Sequence, residues 1–293
     1  MNQSRLVSRR AVLLGAGLGL AGVAGAGYAG VETGVLPGRS WLREHLGQDG
    51  PNGAIPDVQP GLVRSGSFVS RRRHGRPVGW SIAYPTGKVE RLPVVIALHG
   101  RGSTHRDAFG HHLGLDRFLV AGGHRFAIAS VDGGNTYWHH RTSGEDAGAM
   151  VTDEFLPLLQ AHGLDPHRVG LLGWSMGGFG ALWLAGQLGA RRVAGIAAES
   201  PAIWHTAGQS APGAFDDPAD FAAHDVFSHT NRLARIPVRI DCGTDDGFYP
   251  AARDYASALT RRPTVSFQPG AHNIGYWRRM APAQLAFLAG QLS

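Results

Sequence analysis

Short runs of apolar residues recur along the chain and alternate with segments of helical periodicity. Runs that are apolar on both faces are typical of parallel strands covered by helices on either side. They are Val94–Leu98, Phe126–Val131, Val169–Leu172, Val193–Ala197, Val238–Ile240 and Thr264–Phe267. Helical patterns lie between them, at Arg106–Ala121, Met150–His162, Met176–Leu188, Pro250–Thr260 and Trp277–Gln291. The alternation predicts an α/β fold with one mostly parallel sheet and helices on both faces.

Two further apolar segments precede these runs and are predicted to pair with each other. Ser67–Val69 and Val78–Tyr84 flank a basic turn that contains glycine, a pattern that indicates an N-terminal antiparallel hairpin. In open α/β sheets, ligands bind at the carboxyl ends of the parallel strands. Residues that directly follow a strand are therefore the first candidates for a functional site.

The first 31 residues have a different pattern. Arg9 and Arg10 precede an uncharged stretch rich in Gly and Ala, the layout of an export signal. The adjacent arginines resemble the twin-arginine signal. The stretch is long enough to span a bilayer, so a retained anchor stays open. We expect an export signal or anchor at residues 1–31, a Gly/Pro-rich linker with a short helix (Ser40–Leu46) at 32–65, and the folded domain at 66–293. The protein is then secreted, periplasmic or associated with the cell envelope.

Composition narrows the possible partners. The chain has 293 residues, of which 43% are hydrophobic, enough for one substantial core. Its net charge of +6 comes from scattered arginines, so we expect no nucleic-acid partner, although attraction to a membrane or an anionic cell envelope is compatible with it. Cys242 is the single cysteine, which excludes an intramolecular disulfide. The pairs His111-His112 and His139-His140 point their side chains in different directions, and no H-E-x-x-H occurs. We therefore expect no metal and no cofactor.

The strongest chemical motif is the G-x-S-x-G at residues 173–177. An apolar strand precedes it and an Ala- and Leu-rich helical segment follows, which is the context of a nucleophile elbow. Gly173 and Gly177 permit a close approach of strand and helix around Ser175. The N–H group of Met176, at the first turn of the helix, is placed to stabilise an oxyanion. A second donor is expected after the Val94–Leu98 strand, from Arg101 or alternatively from Gly102.

A serine nucleophile needs a base and a carboxylate that orients the base. His272 is the last histidine, in a Gly-containing loop directly after the final strand, and is the predicted base. The carboxylate should come from the loop after the preceding strand. Asp241 lies within that strand, which leaves Asp245 and Asp246.

Together these segments resemble the putative-esterase family of α/β hydrolases, which includes S-formylglutathione hydrolases (esterase D), feruloyl esterases and antigen 85-type mycolyltransferases. The resemblance runs from about Phe68 to Leu292. It implies an α/β-hydrolase fold, Asp246 as the triad carboxylate, and the N–H groups of Met176 and Arg101 as oxyanion donors. The motifs that carry it are residues 98–100, 131–134, 153–157, 173–181, 242–246, 272–273 and 276–277.

The loop after the Phe126–Val131 strand is expected to contain residues that bind the substrate. Asp132, Tyr137 and Trp138 should reach the catalytic rim, and Trp204 should contribute from an insertion after the Val193–Ala197 strand. For Trp138, packing against the body is an equally weighted alternative. We expect a serine esterase that acts on a small-molecule, lipid or sugar ester. An acyltransferase to a sugar or lipid hydroxyl is the main alternative, and an inactive binding protein a minor one.

Overall fold

An eight-stranded sheet forms the centre of the described chain. The structure is a computed structural model that describes Gly47 and residues 49–293, and the helices and strands of these residues lie within Gly50–Ser293. The strand order is β1-β2-β4-β3-β5-β6-β7-β8. The strands are β1 (Val63–Ser70), β2 (Arg76–Ala83), β3 (Pro93–Leu98), β4 (Ala127–Val131), β5 (Asp165–Trp174), β6 (Val193–Glu199), β7 (Val238–Gly243) and β8 (Thr264–Gln268).

The pairing confirms the predicted fold class. β2 is antiparallel to both of its neighbours, β1 and β4, and every other pair in the sheet is parallel. Along β3, Val94, Ile96 and Leu98 join the hydrophobic cluster on one face, whereas Val95 and Ala97 join the cluster on the other. Burial on both faces explains why these strands are continuous apolar runs rather than alternating ones.

Six helices flank the sheet within the described residues. They are α1 (Leu115–Ala121), α2 (Ala147–Met150 and Leu156–Ala161, joined by a π-helical turn at Val151–Phe155), α3 (Met176–Leu188), α4 (Pro218–His224), α5 (Tyr249–Ala258) and α6 (Ile274–Leu292). Short 3₁₀ turns occur at Arg71–Arg73, His105–Ala108, Ala207–Gln209 and Thr230–Leu233. No helix in residues 49–293 has the length and apolarity required to cross a bilayer.

Two helical segments differ from the sequence prediction. The helix predicted over Arg106–Ala121 is wrong in its first half, because Gly110 and Gly114 adopt left-handed backbone conformations (φ 60° and 71°) that interrupt it. Helix α4 is absent from the predicted elements. Its start signals are nonetheless present in the sequence: Asp217 caps the helix by accepting from the N–H of Asp220, and proline occupies the first helical position.

The chain before the first strand is also part of the folded body. Gly53 donates its N–H to the carbonyl of Gly275 (2.8 Å), and Arg279 donates to the carbonyl of Pro51 (2.9 Å). The compact unit therefore starts at Gly50 and includes the second half of the segment that was expected to be a linker. The export signal or anchor and the Ser40–Leu46 helix lie outside the described residues and stay predictions.

Candidate active site

Ser175 lies on the sharp turn between β5 and α3. Its backbone has φ 56° and ψ −119°, a conformation that costs a non-glycine residue on the order of 1–3 kcal/mol. Two backbone hydrogen bonds hold the turn: the N–H of Ser175 donates to Glu199 (2.9 Å), and its carbonyl accepts from Ala202 (3.0 Å). The strain therefore serves to present one hydroxyl at the carboxyl edge of the sheet.

Glycines make this turn possible. A Cβ atom on Gly173 would collide with the backbone of Gly177, and one on Gly177 would collide with the carbonyl of Leu98. Gly100 lies against the nucleophile, because a Cβ atom there would approach the Cβ of Ser175 to 3.4 Å. The loop after β3 thus borders Ser175 directly.

The structure brings Ser175, His272 and Asp246 into one hydrogen-bonded chain. His272 Nε2 lies 2.9 Å from Ser175 Oγ, and its Nδ1 lies 2.8 Å from Asp246 Oδ2. The Asp246 side chain is fully buried, and its Oδ1 accepts from the N–H of Phe248 (2.9 Å). A carboxylate on Nδ1 fixes the proton there and leaves Nε2 free to accept the serine proton.

Asp245 is the neighbouring residue in the same loop, and the hydrogen bonds of the His272 ring go to Asp246 and Ser175. Asp245 donates its backbone N–H to the carbonyl of Gly270 (2.9 Å), whereas the imidazole of His272 contacts Asp246. The residues alone left both Asp245 and Asp246 open as the carboxylate that orients His272. The hydrogen bond to His272 Nδ1 identifies Asp246.

The expected oxyanion donors are the residue after Ser175 and the residue after Gly100, which borders Ser175. Met176 is the first residue of α3, so its N–H has no acceptor within the helix. In the loop after β3, the N–H of Gly102 already donates to Asn135 Oδ1 (2.8 Å). No hydrogen-bond partner of the Arg101 N–H occurs among the described residues. Arg101, rather than Gly102, is thus the available second donor.

The loop after β3 and the loop after β4 form the rim of the site around Ser175, and hydrogen bonds of His99 connect them. His99 is buried; its Nδ1 donates to the carbonyl of Gly100 (2.8 Å), and its Nε2 accepts the N–H of Gly133 (2.9 Å). Burial lowers the pKa of His99, which favours the neutral imidazole that these two bonds require. His99 therefore connects the loop after β3 to the loop after β4.

A buried acidic group beside the triad was not found from the sequence. Glu199 ends β6, is 2% exposed, and hydrogen-bonds through its side chain to Gln284. Burial, followed by the neighbouring Asp241 and Asp246 carboxylates, raises the pKa of Glu199 well above its usual range. Burial raises the pKa of Asp241 as well, but Arg239, 2.7 Å away, opposes this shift, so the proton is favoured on Glu199. A neutral Glu199 spares Asp246 a second buried negative charge.

Glu199→Gln should remove a pH dependence of stability. The unfolded chain releases the Glu199 proton near pH 4.3 and the folded chain retains it at higher pH, so the folded state binds more protons and stability falls as pH rises above that value. The advantage of the variant over the wild type should therefore grow between pH 5 and 8, by up to about 1.4 kcal/mol per pH unit. Urea unfolding at several pH values measures it. A difference between the two proteins that stays constant with pH would show that Glu199 is ionised in the folded state.

Aromatic rings extend from the imidazole toward the insertion after β6. Phe248 lies 5.2 Å from His272 between ring centroids, Trp204 lies 5.5 Å from Phe248, and Tyr137 lies 5.8 Å from Trp204. Phe215 adds a further ring 6.2 Å from Trp204. We call Tyr137, Trp204, Phe215 and Phe248 the aromatic wall. Tyr137 is buried within it, and the other three are partly exposed.

The prediction that Trp138 lines the substrate site is wrong. Its side chain is 0% exposed, its ring fills the space above Gly133 and Gly180, and its Nε1 points to the carbonyl of His99 (3.4 Å). Tyr137 and Trp138 both have left-handed backbone conformations (φ 54° and 58°), which send successive side chains to different surroundings. Trp138 is therefore a packing residue beneath the rim.

Asp132 also differs from its predicted role on the substrate side. Its carboxylate accepts from the backbone N–H (2.6 Å) and Nδ1 (2.8 Å) of His105, and from the N–H of Gly79 (3.2 Å). These bonds join the loops after β3 and β4 to β2. Asp132 thus stabilises the loops that carry the rim.

Cys242 is buried, and burial raises the pKa of its thiol, as suits a packing residue.

The serine follows β5, the buried carboxylate follows β7 and the histidine follows β8. This order on a mostly parallel sheet defines a serine hydrolase of the α/β-hydrolase fold. The family model described as "Putative esterase" matches residues 72–287, and the chain belongs to this family. This confirms the resemblance inferred from the sequence motifs. The protein is accordingly a carboxylic ester hydrolase.

Solved structures share the fold. A ferulic acid esterase is similar with a TM-score of 0.69 and 18% identity over 79% of this chain and 99% of that one. An S-formylglutathione hydrolase from Agrobacterium tumefaciens has a TM-score of 0.68 and 21% identity over 83% and 99%. FphF, a fluorophosphonate-binding serine hydrolase from Staphylococcus aureus, has a TM-score of 0.67 and 17% identity over 79% and 99%. No curated protein matches the chain.

Proposed function

We propose that the chain is an exported esterase that cleaves carboxylic esters bearing an aromatic group, through an acyl-enzyme on Ser175. The observation that carries the proposal is the hydrogen-bonded chain from Ser175 Oγ through His272 to Asp246. Export rests on the arginine pair at residues 9 and 10 and the apolar stretch after it.

The geometry supports a two-step reaction. Ser175 Oγ attacks the ester carbonyl and passes its proton to His272 Nε2, while the N–H groups of Met176 and Arg101 stabilise the oxyanion. When the tetrahedral intermediate collapses, the alcohol leaves with that proton. Water then gives a proton to His272, attacks the acyl-enzyme and releases the acid, and Ser175 recovers its proton from His272. Asp246 stabilises the imidazolium in both steps.

Hydrolysis is favoured over acyl transfer by access to the base. The His272 side chain is 32% exposed, so water reaches the imidazole that activates it. An acyltransferase with the same acyl-enzyme must exclude water in favour of a sugar or lipid hydroxyl. With methyl ferulate as donor, we expect free acid as the product, in unchanged yield when glucose or trehalose is added. An acylated sugar as the main product would assign the acyltransferase function instead.

The aromatic wall supports the substrate class. It starts at Phe248 on His272 and continues to Trp204, so a flat apolar group attached to the reacting carbonyl would meet partly exposed rings. Aromatic side chains bind such groups by offset or edge-to-face contacts. The similarity in fold to a ferulic acid esterase is compatible with this substrate class.

Trp204→Ala should lower kcat/KM for methyl ferulate about tenfold more than for methyl acetate, because only the larger acyl group reaches the wall. Initial rates on both esters measure this. Trp138→Ala is the matched control: it should lower activity on both esters equally and destabilise the fold by about 3–5 kcal/mol, as expected for a buried tryptophan. Equal losses on both esters in Trp204→Ala would remove Trp204 from the substrate site.

A further inference from the structure

Three side chains outside the catalytic triad meet between the loop after β4 and helix α4. His139 follows the strained Tyr137-Trp138 pair, and its side chain is 0% exposed. Asp220 and His224 are four residues apart on α4, so they lie on the same face of the helix, with side chains 9% and 14% exposed. The potential ligand atoms of the three residues all lie within 4.8 Å of one another. We call these residues the His139 cluster.

No cationic side chain belongs to the cluster itself, and Arg141 approaches it through the Ala214 carbonyl, to which its Nη1 donates (2.8 Å). His139 Nδ1 lies 2.8 Å from the carbonyl oxygen of His140, and its Nε2 lies 3.2 Å from that of Ala214. His224 Nδ1 lies 2.8 Å from both the carbonyl oxygen and the carboxylate Oδ1 of Asp220. Three ring nitrogens therefore face oxygen acceptors, but two neutral imidazoles supply only two N–H groups. A metal ion that takes one ring nitrogen of each histidine as a ligand would resolve this mismatch.

The groups that face His139 are one carboxylate and two carbonyls. Asp220 Oδ1 lies 3.6 Å from His139 Nδ1, and the His140 and Ala214 carbonyls face the two ring nitrogens from the loop side. The His224 ring lies 4.2 Å from the His139 ring between centroids. A divalent cation between Asp220 and the two rings would have one anionic ligand and two imidazole ligands.

The donor set suits zinc. Asp220 Oδ1 lies 2.8 Å from His224 Nδ1 and 3.6 Å from His139 Nδ1. Ligands about 2.0–2.2 Å from a tetrahedral Zn²⁺ are separated by roughly 3.3–3.6 Å. The two distances from Asp220 Oδ1 are close to this range, and the two histidine ligand atoms lie within 4.8 Å of each other. Imidazole with carboxylate favours zinc over magnesium or calcium. The His140 carbonyl oxygen, 2.8 Å from His139 Nδ1, is a candidate fourth ligand.

The carboxylate is already oriented for this role. Asp220 Oδ2 accepts the N–H of Asp216 (2.8 Å), which leaves Oδ1 directed at the histidines. Such outer hydrogen bonds are what fix the ligands of protein metal sites. A cavity of about 270 Å³, lined in part by His140, Trp183 and His224, borders the cluster on the His224 side.

We propose that His139, Asp220 and His224 bind one Zn²⁺ that fastens helix α4 to the loop after β4. The ring of His139 stacks on Phe215 at 5.3 Å between centroids, so the ion would also hold part of the aromatic wall in place. The site lies outside the triad and supplies no atom to the hydrolytic step. Its occupancy is independent of which ester the protein cleaves.

The test uses tag-free protein stripped with dipicolinate and titrated with ZnCl₂ against a competing chelator. We expect one zinc per chain by elemental analysis, a Kd below about 1 µM, and a rise in Tm of about 5–10 °C at a roughly 100-fold excess over Kd. Asp220→Asn and His224→Gln should weaken binding at least tenfold and abolish the rise in Tm.

His229→Gln is the matched control. His229 Nδ1 contacts the carbonyl of Asp225 at 2.7 Å and its ring packs on Trp183, as the ring of His224 does, but it is outside the cluster. This variant should bind zinc as the wild type does. Absence of tight one-to-one binding in the wild type, or retention of that binding in both cluster variants, would overturn the proposal.

Discussion

Ser175→Ala should abolish esterase activity while leaving the fold intact, with a loss in kcat on the order of 10⁵–10⁶. Alanine removes the Oγ that lies 2.9 Å from His272 Nε2, and no acyl-enzyme can then form. The small side chain keeps the backbone bonds of the turn to Glu199 and Ala202. Hydrolysis of 4-nitrophenyl acetate measures the activity, and Tm reports the fold.

Covalent labelling gives a second readout of the same serine. A fluorophosphonate probe should modify the wild type at Ser175, as located by peptide mass spectrometry, and should leave Ser175→Ala unlabelled. Ser200 is a suitable control, because it directly follows β6, is buried and accepts a bond from Trp277 (3.2 Å). Ser200→Ala should retain labelling. If Ser175→Ala were still labelled, the nucleophile would have to be sought elsewhere.

Asp246→Asn should lower kcat by about 10⁴ without a comparable change in KM. The amide keeps the shape of the side chain but no longer stabilises an imidazolium. It also favours the tautomer of His272 that has its proton on Nε2, the atom that must accept the serine proton. Steady-state kinetics across pH 6–9 measures the effect.

Asp245→Asn is the matched comparison, since the two carboxylates are adjacent in the same loop. Because Asp246 is the residue on His272 Nδ1, Asp245→Asn should change kcat by less than about tenfold. The opposite order of the two losses would mean that the loop rearranges in solution and that Asp245 orients the base.

Most of the fold could be predicted because its signals are local. Each parallel strand is buried on both faces and therefore appears as a continuous apolar run, and α6 has an asparagine cap at its start. The prediction failed where backbone conformation overrode composition. Apolar residues near Phe109 fit a helix, but the left-handed glycines at positions 110 and 114 break it.

The residues of the candidate site were also predictable only where their signals are local. Ser175 and His272 could be found because each directly follows a strand, and all parallel strands end at one edge. Trp138 could not be placed, since adjacent left-handed residues reverse the usual direction of the side chain. The His139 cluster joins residues 81 positions apart through a helix that propensity alone did not reveal. The raised pKa of Glu199 depends on its burial and on carboxylates of β7 and the loop after it.

The cross-linked rim has a consequence for the energetics of turnover. His99 bonds to Gly133, Asn135 bonds to Gly102, and Trp138 fills the space beneath, so the loop that carries the Arg101 amide is fixed before substrate arrives. N–H groups that already point at the carbonyl oxygen do not have to reorient, as water molecules would, when negative charge develops on it. We therefore expect the oxyanion donors to be in place before an ester binds.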